Sequence, residues 1–438
     1  MSYRTIAIVG AGFSGTLLAA QIARRSAQAR VLLIERSGVF GRGLAYGTTC
    51  AAHLLNVRSG RMSAFPDDPN HFVDWLKANR PEFANPQGFA PRMIYGDYVQ
   101  SILAAGGAGI ERIAAEVVRI DPSGSGVNLL LADGTAIEAD ACVLATGNPP
   151  PDDANAKGLG ESDRYFADPW APGQLEKVGE KDDVLLLGAG LTMIDVVLAL
   201  VEQGWKGRAL ALSRRGLLPR PHDPVQAHAM ARKPEATHLL GMMREVRARM
   251  REVGWAEAMD EIRPFNQLAW RSATDAERGR FLRHLRPWWD VHRHRTAEEV
   301  GARISGLVEK ARLRIAGGRI AMIEPVEDGL MIEWRPRGEE HSRNETFGWM
   351  VNCTGPLSDL ARSKDRLLTA LFADGVARVD AASLGLDVEP DCRVQDKDGA
   401  PHSRLFAIGP PTKSAFWEVV AVPEIRVQAQ EIAERLTD

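Results

Sequence analysis

The chain has 438 residues, a net charge of −3, 25% charged and 45% hydrophobic residues. That length leaves room for two or three domains with a sizeable core, and the charge gives no electrostatic reason to expect nucleic acid. Its four cysteines, Cys50, Cys142, Cys353 and Cys392, are scattered with no C-x-x-C, which argues against a disulfide framework, a zinc site and a dithiol–disulfide reductase.

The chain enters its first strand by Thr5, so no signal peptide is expected. The longest apolar run, Val184 to Val201, is interrupted by glycines and Asp195 and is no membrane span. The expected location is cytoplasmic.

Thr5–Val9 reads as a buried parallel strand that breaks at Gly10, and an Ala/Leu-rich helix follows. Between them Gly10, Gly12 and Gly15, with Phe13 and Ser14 among them, form G-x-G-x-x-G. Gly10 permits the tight turn, Gly12 lets backbone approach a pyrophosphate, and Gly15 lets the helix pack on the strand. The helix N-terminus offers free N–H groups and a positive dipole end. A second strand, Val31–Ile34, ends in Glu35, 20 residues past Gly15, followed by Arg36. A carboxylate there accepts hydrogen bonds from ribose hydroxyls.

Residues 41–66 are rich in Gly, Asn and Pro and predict a long loop with work to do. His53 and Asn56 are candidate polar contacts to a bound cofactor or, equally, hydrogen bonders that stabilise the loop; Met62 and Ser63 are candidate contacts further on. Short helices are expected to end near Trp75-Leu76 and to follow Phe89–Gln100. Glu116–Ile120, Val127–Leu131 and Ala136–Asp140 read as antiparallel strands with a hairpin at Asp133-Gly134, and Val117 is a candidate nucleotide contact. A buried strand then ends in Leu144-Ala145-Thr146-Gly147, and Asn148–Pro151 forms a stiff linker. A meander followed by such an A-T-G turn is the order of two-dinucleotide flavoproteins. Ala145, Thr146 and Gly147 are placed to pass the flavin nucleotide, and the 41–66 loop to cover the isoalloxazine ring.

Asp183–Asp195 repeats the strand, glycine turn and helix 178 residues after the first. Gly188 and Gly190 keep the phosphate-binding part, with Leu191 and Thr192 opening the helix; Met193 replaces the third glycine. The next strand ends in Ser213-Arg214-Arg215 rather than an acid. Arginines can pair with a ribose 2′-phosphate that a carboxylate would repel. FAD is therefore assigned to the first unit and NADPH to the second.

From His222 to about Leu313 the spacing of Leu240, Met243, Val246, Met250 and Val253 is helical, and further helices are predicted over 274–284 and 296–311. Arg220-Pro221-His222 closes the loop after the NADPH-binding strand. His292-Arg293-His294-Arg295 allows three readings: a metal site, for which no Cys, Asp or Glu completes a ligand set; a basic site for a substrate carboxylate or cofactor phosphate; or a solvated or interdomain-pairing face. No metal is assigned. The strands at Arg319–Ile323 and Gly329–Trp334 return the chain to the first fold, with Trp349–Pro356 as a second crossing. The last buried strand ends at Gly409-Pro410, where backbone N–H groups replace the usual acid. A C-terminal helix expected to begin near Trp417-Glu418 and Pro423 makes Trp417 and Glu418 either active-site walls or a helix start packed on the core.

The expected fold is α/β, with two Rossmann-like dinucleotide-binding domains: a discontinuous FAD domain (1–150 and 350–438) and an NADPH domain (151–349) carrying a helical insertion (about 222–313).

G-A-G-F-S-G, G-x-A-Y-G-T, H-L-L-N-V with M-S-A-F-P, Y-G-D-Y, A-T-G-N-P-P, D-P-W, G-A-G-L-T-M-I-D, S-R-R-G-L-L-P-R-P-H, W-D-V-H-R-H-R, N-C-T-G-P and W-E-V-V-A-V-P-E-I-R span nearly the whole chain. They resemble the FAD/NAD(P)-binding proteins related to the nitrosuccinate-forming L-aspartate N-monooxygenase and, more distantly, flavin-containing and N-hydroxylating monooxygenases. The F-x-G-x-x-x-H signature of Baeyer–Villiger and flavin monooxygenases is absent, which weakens ketone oxygenation. The resemblance implies FAD, NAD(P)H and two domains but no single substrate.

The first functional reading is a monooxygenase passing oxygen from a hydroperoxyflavin to a nitrogen or sulfur of a small polar substrate, with O₂ as co-substrate. Basic residues at His222 and His292–Arg295 lean it towards a carboxylate-bearing one. The alternatives are an NAD(P)H reductase feeding a protein or quinone, and a flavin-binding protein without redox function.

Overall fold

Two sheets, each begun by an apolar strand that breaks at glycine, organise the chain. The computed structural model describes residues 3–122, 124–152, 159, 162–223, 231–236 and 238–438.

The first sheet opens with β1 (Thr5–Val9), followed by α1 (Phe13–Arg25) and β2 (Arg30–Ile34) in parallel register with β1. The loop after β2 is not structureless: α2 (Gly43–Tyr46) and a 3-10 turn (Ser59–Arg61) interrupt it. α3 (His71–Asn79) and α4 (Arg92–Ala105) lead to β3 (Ile110–Ile113). The meander β4 (Val117–Asp121), β5 (Val127–Leu131) and β6 (Ala136–Ala139) forms its own antiparallel sheet. Its hairpin uses Gly134 at φ +89°, a conformation open to glycine without strain. β7 (Ala141–Leu144) then pairs with β1.

The second sheet takes β8 (Tyr165–Phe166), β9 (Val184–Leu187), α5 (Leu191–Glu202) and β10 (Ala209–Ser213). The insertion follows as α6 (Leu239–Val253), α7 (Trp255–Ile262), α8 (Asn266–Ser272), α9 (Asp275–Arg280), α10 (Arg286–Arg293) and the crossover helix α11 (Glu298–Glu309). β11 (Leu313–Val326) begins parallel to β10 and continues as the antiparallel partner of β12 (Gly329–Pro336), which pairs with β13 (Arg343–Phe347).

β14 (Trp349–Asn352) pairs with β9 and β8. It therefore belongs to the second sheet, and the expected boundary at residue 350 falls inside a strand. The chain recrosses after Asn352. There Pro151 bridges Pro356 and the Leu357 N–H donates to the Pro150 carbonyl at 3.2 Å, so the two crossings run side by side. α12 (Arg366–Ala373), β15 (Arg393–Gln395), β16 (Pro401–Ala407) and α13 (Val422–Thr437) complete the first unit, giving the sheet order β15-β16-β7-β1-β2-β3.

Two helix expectations change. The stretch 274–284 is α9, capped by a Thr274–Glu277 capping box, and then a π-helical turn before α10 restarts with Pro287 in its first turn. In α6, Val246 is buried and Met243 and Met250 pack beside it as expected, but Leu240 is 51% exposed and Leu239 and Met242 take its place on the inner face.

The insertion does not close a core alone. Val246, Met259, Ile262, Trp270, Phe281 and Trp289 pack with Leu384 and Trp417 from the first unit. Burial of those aromatic faces is what holds the insertion against the first unit.

Candidate functional site

The two glycine turns share one geometry. Gly10 sits at φ +104° and a Cβ on it would lie 2.4 Å from the Ala145 carbonyl oxygen; Gly188, at φ +113°, stands in the same relation to Cys353, also at 2.4 Å. Each turn is thus pressed on the chain that leaves the neighbouring strand, Ala145-Thr146-Gly147 in one case and Cys353-Thr354-Gly355 in the other. A Cβ on Gly15 would fall 1.9 Å from the Gly10 carbonyl oxygen, so only glycine lets α1 start there. α1 and α5 are N-capped by Gly12 and Gly190 with no side-chain cap, leaving first-turn N–H groups for a ligand. Over Gly190 a Cβ would meet nothing within 4 Å, whereas Gly12 faces the Gly43 Cα at 3.6 Å.

The ends of the second strands differ. Glu35 accepts from the Ala11 N–H at 2.9 Å through one carboxylate oxygen, and from the Ser37 N–H and hydroxyl at 3.0 and 2.8 Å through the other. Its carboxylate is therefore locked beside the glycine turn. Arg36 turns away into an ion pair with Asp365 at 2.8 Å and is not free for a nucleotide. At the other site the Ser213 hydroxyl accepts from the Gly216 N–H at 3.0 Å. Arg214 is exposed, Arg215 points at Trp288, and neither has an ion pair among the described residues.

The loop after β2 is a clasp between the two units. His53 is buried with both ring nitrogens used: Nε2–H donates to the Asp195 carbonyl at 2.8 Å and Nδ1 accepts from the Thr48 hydroxyl at 2.8 Å. Burial holds its pKa below the usual value, against the pull of Asp195. It stabilises the loop and has no nitrogen left for a cofactor. Asn56 offers its carbonyl to His222 Nε2–H at 3.0 Å. Met62 is buried and takes the Tyr95 hydroxyl on its carbonyl at 3.0 Å, while the Ser63 carbonyl accepts from Arg426 at 3.0 Å. Val117 is buried at the start of β4.

Two bridges that sequence reasoning missed join these units. Arg92 on α4 pairs with the nearly buried Asp195 of α5 at 2.6 Å, and Arg58 reaches Glu298 at 2.9 Å and the Asp223 carbonyl at 2.7 Å. The one available signal for Asp195 was a charge inside an otherwise apolar helix.

The C-terminal elements change several expectations. The Gly409 N–H, expected to serve a flavin, is taken by the buried Gln428 side chain at 2.8 Å, and Pro410 has no N–H to offer. α13 starts at Val422, five residues after Trp417. Glu418 sits at φ +67°, outside helical geometry, and Pro423 fits only a first turn.

Trp417, Glu418 and Arg293 are brought together. The Glu418 carboxylate, 4% exposed, accepts from Trp289 Nε1 at 2.6 Å, Arg293 Nε at 2.9 Å and Asn266 at 3.2 Å. Burial pushes its carboxyl up, but Arg293, His294 and the Trp289 hydrogen bond together outweigh this and hold it below the usual range. Trp417 stacks on Trp270 with centroids 4.5 Å apart. Lys413 stands 5.3 Å from the Trp417 ring, its pKa pushed down to about 8 by burial and by Arg286.

The basic run is therefore not an open anion site. Arg293 is neutralised by Glu418 and, at 3.5 Å, Glu424. Arg295 is buried against Asp260 at 3.2 Å and the Ala256 carbonyl at 2.8 Å. His294 lies 3.5 Å from Asp290. His292 packs on Trp255, with burial lowering its pKa. His222 packs on Phe89 and is pushed down to about 4 by burial, so it is neutral. A further cation without an ion pair among the described residues, and one not foreseen, is Arg61. Burial and the facing Arg263, itself paired with Glu424 at 2.9 Å, lower its pKa. No cluster able to hold a metal occurs among the described residues, and no helix among them is long and apolar enough to cross a membrane.

Residues 7–149 match a family model described as FAD-NAD(P)-binding. Over the whole chain the fold is that of ornithine hydroxylase from Pseudomonas aeruginosa (TM-score 0.69, 19% identity, 100% of this chain and 99% of that one). It is equally that of L-lysine 6-monooxygenase from Pseudomonas syringae (TM-score 0.72, 18% identity, 99% of both chains). Thioredoxin reductase from Lactococcus lactis shares it less closely (TM-score 0.54, 12% identity, 99% of this chain and 97% of that one).

Proposed function

We infer that the protein is an FAD- and NADPH-dependent monooxygenase acting on a nitrogen or sulfur of a small polar, carboxylate-bearing substrate. The observation that carries this is the pair of equivalent glycine turns, one furnished with Glu35 and the other with Arg214 and Arg215. The residues fit both cofactors. The Gly15 contact leaves no room for a side chain where α1 meets the turn, and the space over Gly190 is open. The names of the structural neighbours, hydroxylases of ornithine and lysine, favour nitrogen. Disulfide reduction, the chemistry of the thioredoxin reductase neighbour, is disfavoured because all four cysteines are free and three are buried with raised pKa values.

FAD reduced by NADPH supplies the power to activate dioxygen; the chain supplies binding, orientation and dryness. Glu35 holds a ribose, and the N-terminus of α1 holds the pyrophosphate. The N-terminus of α5 and the arginine pair hold NADPH. Trp417, Trp270, Trp289 and Phe281 form an apolar wall that excludes water, and Glu418 and Arg293 fix that wall in place. Arg61 is the contact for a substrate carboxylate, replacing His222 and the 292–295 run in that role.

Anaerobic bleaching of the bound flavin tests the cofactor assignment. NADPH is expected to reduce it faster than NADH, and Arg214→Ala with Arg215→Ala to abolish the preference. An unchanged preference in the double variant overturns the phosphate assignment.

A further inference from the structure

The insertion is built round buried tryptophans, yet it leaves one in solvent. Trp288 is 45% exposed, while its neighbour Trp289 is buried on Glu418. The exposed indole is the one that faces Arg215, whose guanidinium carbon lies 6.0 Å from its centroid. That separation is the outer limit of a cation–π contact, so the two planes part at little cost. The backbone that carries the indole is held in place. His292 Nδ1–H donates to the Trp288 carbonyl at 2.7 Å, and the Arg220 N–H donates to the Val291 carbonyl at 3.0 Å, tying α10 to the loop that leaves β10. Beside it Arg214 is exposed and unpaired among the described residues, and the start of α5 opens on free space.

We propose that Trp288 and Arg215 together bind the adenosine 2′-phosphate end of the nicotinamide cofactor, the indole stacking on adenine and the guanidinium pairing with the 2′-phosphate. This rests on the NADPH reading and extends it: the insertion, and not only the nucleotide-binding fold, takes part in choosing the dinucleotide. An indole presents a flat apolar face to a purine, and a guanidinium presents a planar fork to a phosphate dianion. Among the described residues, neither the Arg215 guanidinium nor the Trp288 indole has another polar partner that such binding would displace.

Calorimetry on the full-length flavoprotein, with adenosine 2′,5′-bisphosphate, ADP and nicotinamide mononucleotide as probes, tests this. The bisphosphate is expected to bind more tightly than ADP. Trp288→Ala is expected to weaken both adenine probes roughly tenfold, on the scale of base–aromatic stacking, and to leave the mononucleotide unchanged. Trp288→Phe is expected to restore most of the loss, and Arg215→Ala to weaken the bisphosphate alone. Equal bisphosphate affinity in Trp288→Ala and wild type, with an unchanged melting temperature, overturns the proposal and leaves the NADPH reading standing. A wild type that binds ADP as tightly as the bisphosphate overturns the NADPH reading itself.

Discussion

Replacing Glu418 by alanine strips Arg293 of its main counter-charge inside a nearly dry site. Removing one partner of a buried pair costs about 3–5 kcal/mol. Glu424, 3.5 Å from Arg293, keeps part of the compensation, so the lower end is expected. Unfolding entropy of about 2.1 cal/mol/K per residue gives about 0.9 kcal/mol/K for 438 residues, so about 3 kcal/mol lowers the melting temperature by about 3 °C.

Glycine separates the charge effect from the backbone effect. Glu418 sits at φ +67°, where a side chain costs about 1 kcal/mol or more that glycine does not pay. Glu418→Gly should therefore melt about 1 °C above Glu418→Ala, both below wild type. The sign of the pH dependence follows from the lowered Glu418 pKa. The pair stabilises the fold above the ordinary glutamate range, and that stability is lost as pH falls through the folded-state value. The gap between wild type and Glu418→Ala should close in acid. Differential scanning calorimetry across pH reads all three effects. An alanine variant that melts with wild type near neutral pH, or a glycine variant below the alanine one, would refute the reasoning.

Gly15→Ala should yield protein with little or no bound flavin, read as the ratio of flavin to protein absorbance, because its Cβ would lie 1.9 Å from the Gly10 carbonyl oxygen. Full flavin loading would contradict that packing. His222 is depressed from 6.5 to about 4, so the unfolded chain takes its proton first, and stability falls as pH drops through that window. His222→Gln should show a shallower acid loss between those values; an identical slope would mean that His222 is not the group responsible. Arg61→Ala should raise the substrate KM by roughly tenfold or more, the scale of one lost charge-assisted contact, with the NADPH KM unchanged. Equal changes in both constants would remove Arg61 from the substrate.

The parts of the chain that could be read in advance are those fixed by local chemistry. Gly10, Gly15 and Gly188 are dictated by steric contacts within a few residues or across one strand pair. The meander follows from its alternation and from Asp133-Gly134, and Glu35 from the end of a strand. The basic run could not be read, because its neutralising partners are remote: Glu418 lies 125 residues from Arg293, and Asp260 lies 35 from Arg295. Nothing in the spacing of His53 announces that its ring is spent on Asp195, 142 residues away. β14 misled for a related reason. A short apolar strand followed by a T-G turn looks the same whichever sheet it joins, and pairing with β9 decides it. Of the residues expected at the start of α13, Pro423 lies in its first turn, whereas Trp417 and Glu418 precede the helix, as the positive φ of Glu418 shows.

Oxygen transfer itself is tested most directly with isotopically labelled dioxygen. The purified flavoprotein would be supplied with NADPH and a panel of small substrates, among them ornithine, lysine, cadaverine, aspartate and sulfur-containing amino acids, and the products weighed by mass spectrometry. One labelled oxygen on a nitrogen or sulfur of at least one of them, with NADPH consumed in step, is the expected result. Fast NADPH oxidation with no label in any organic product, accelerated instead by a quinone or a protein acceptor, would contradict the monooxygenase and establish a reductase.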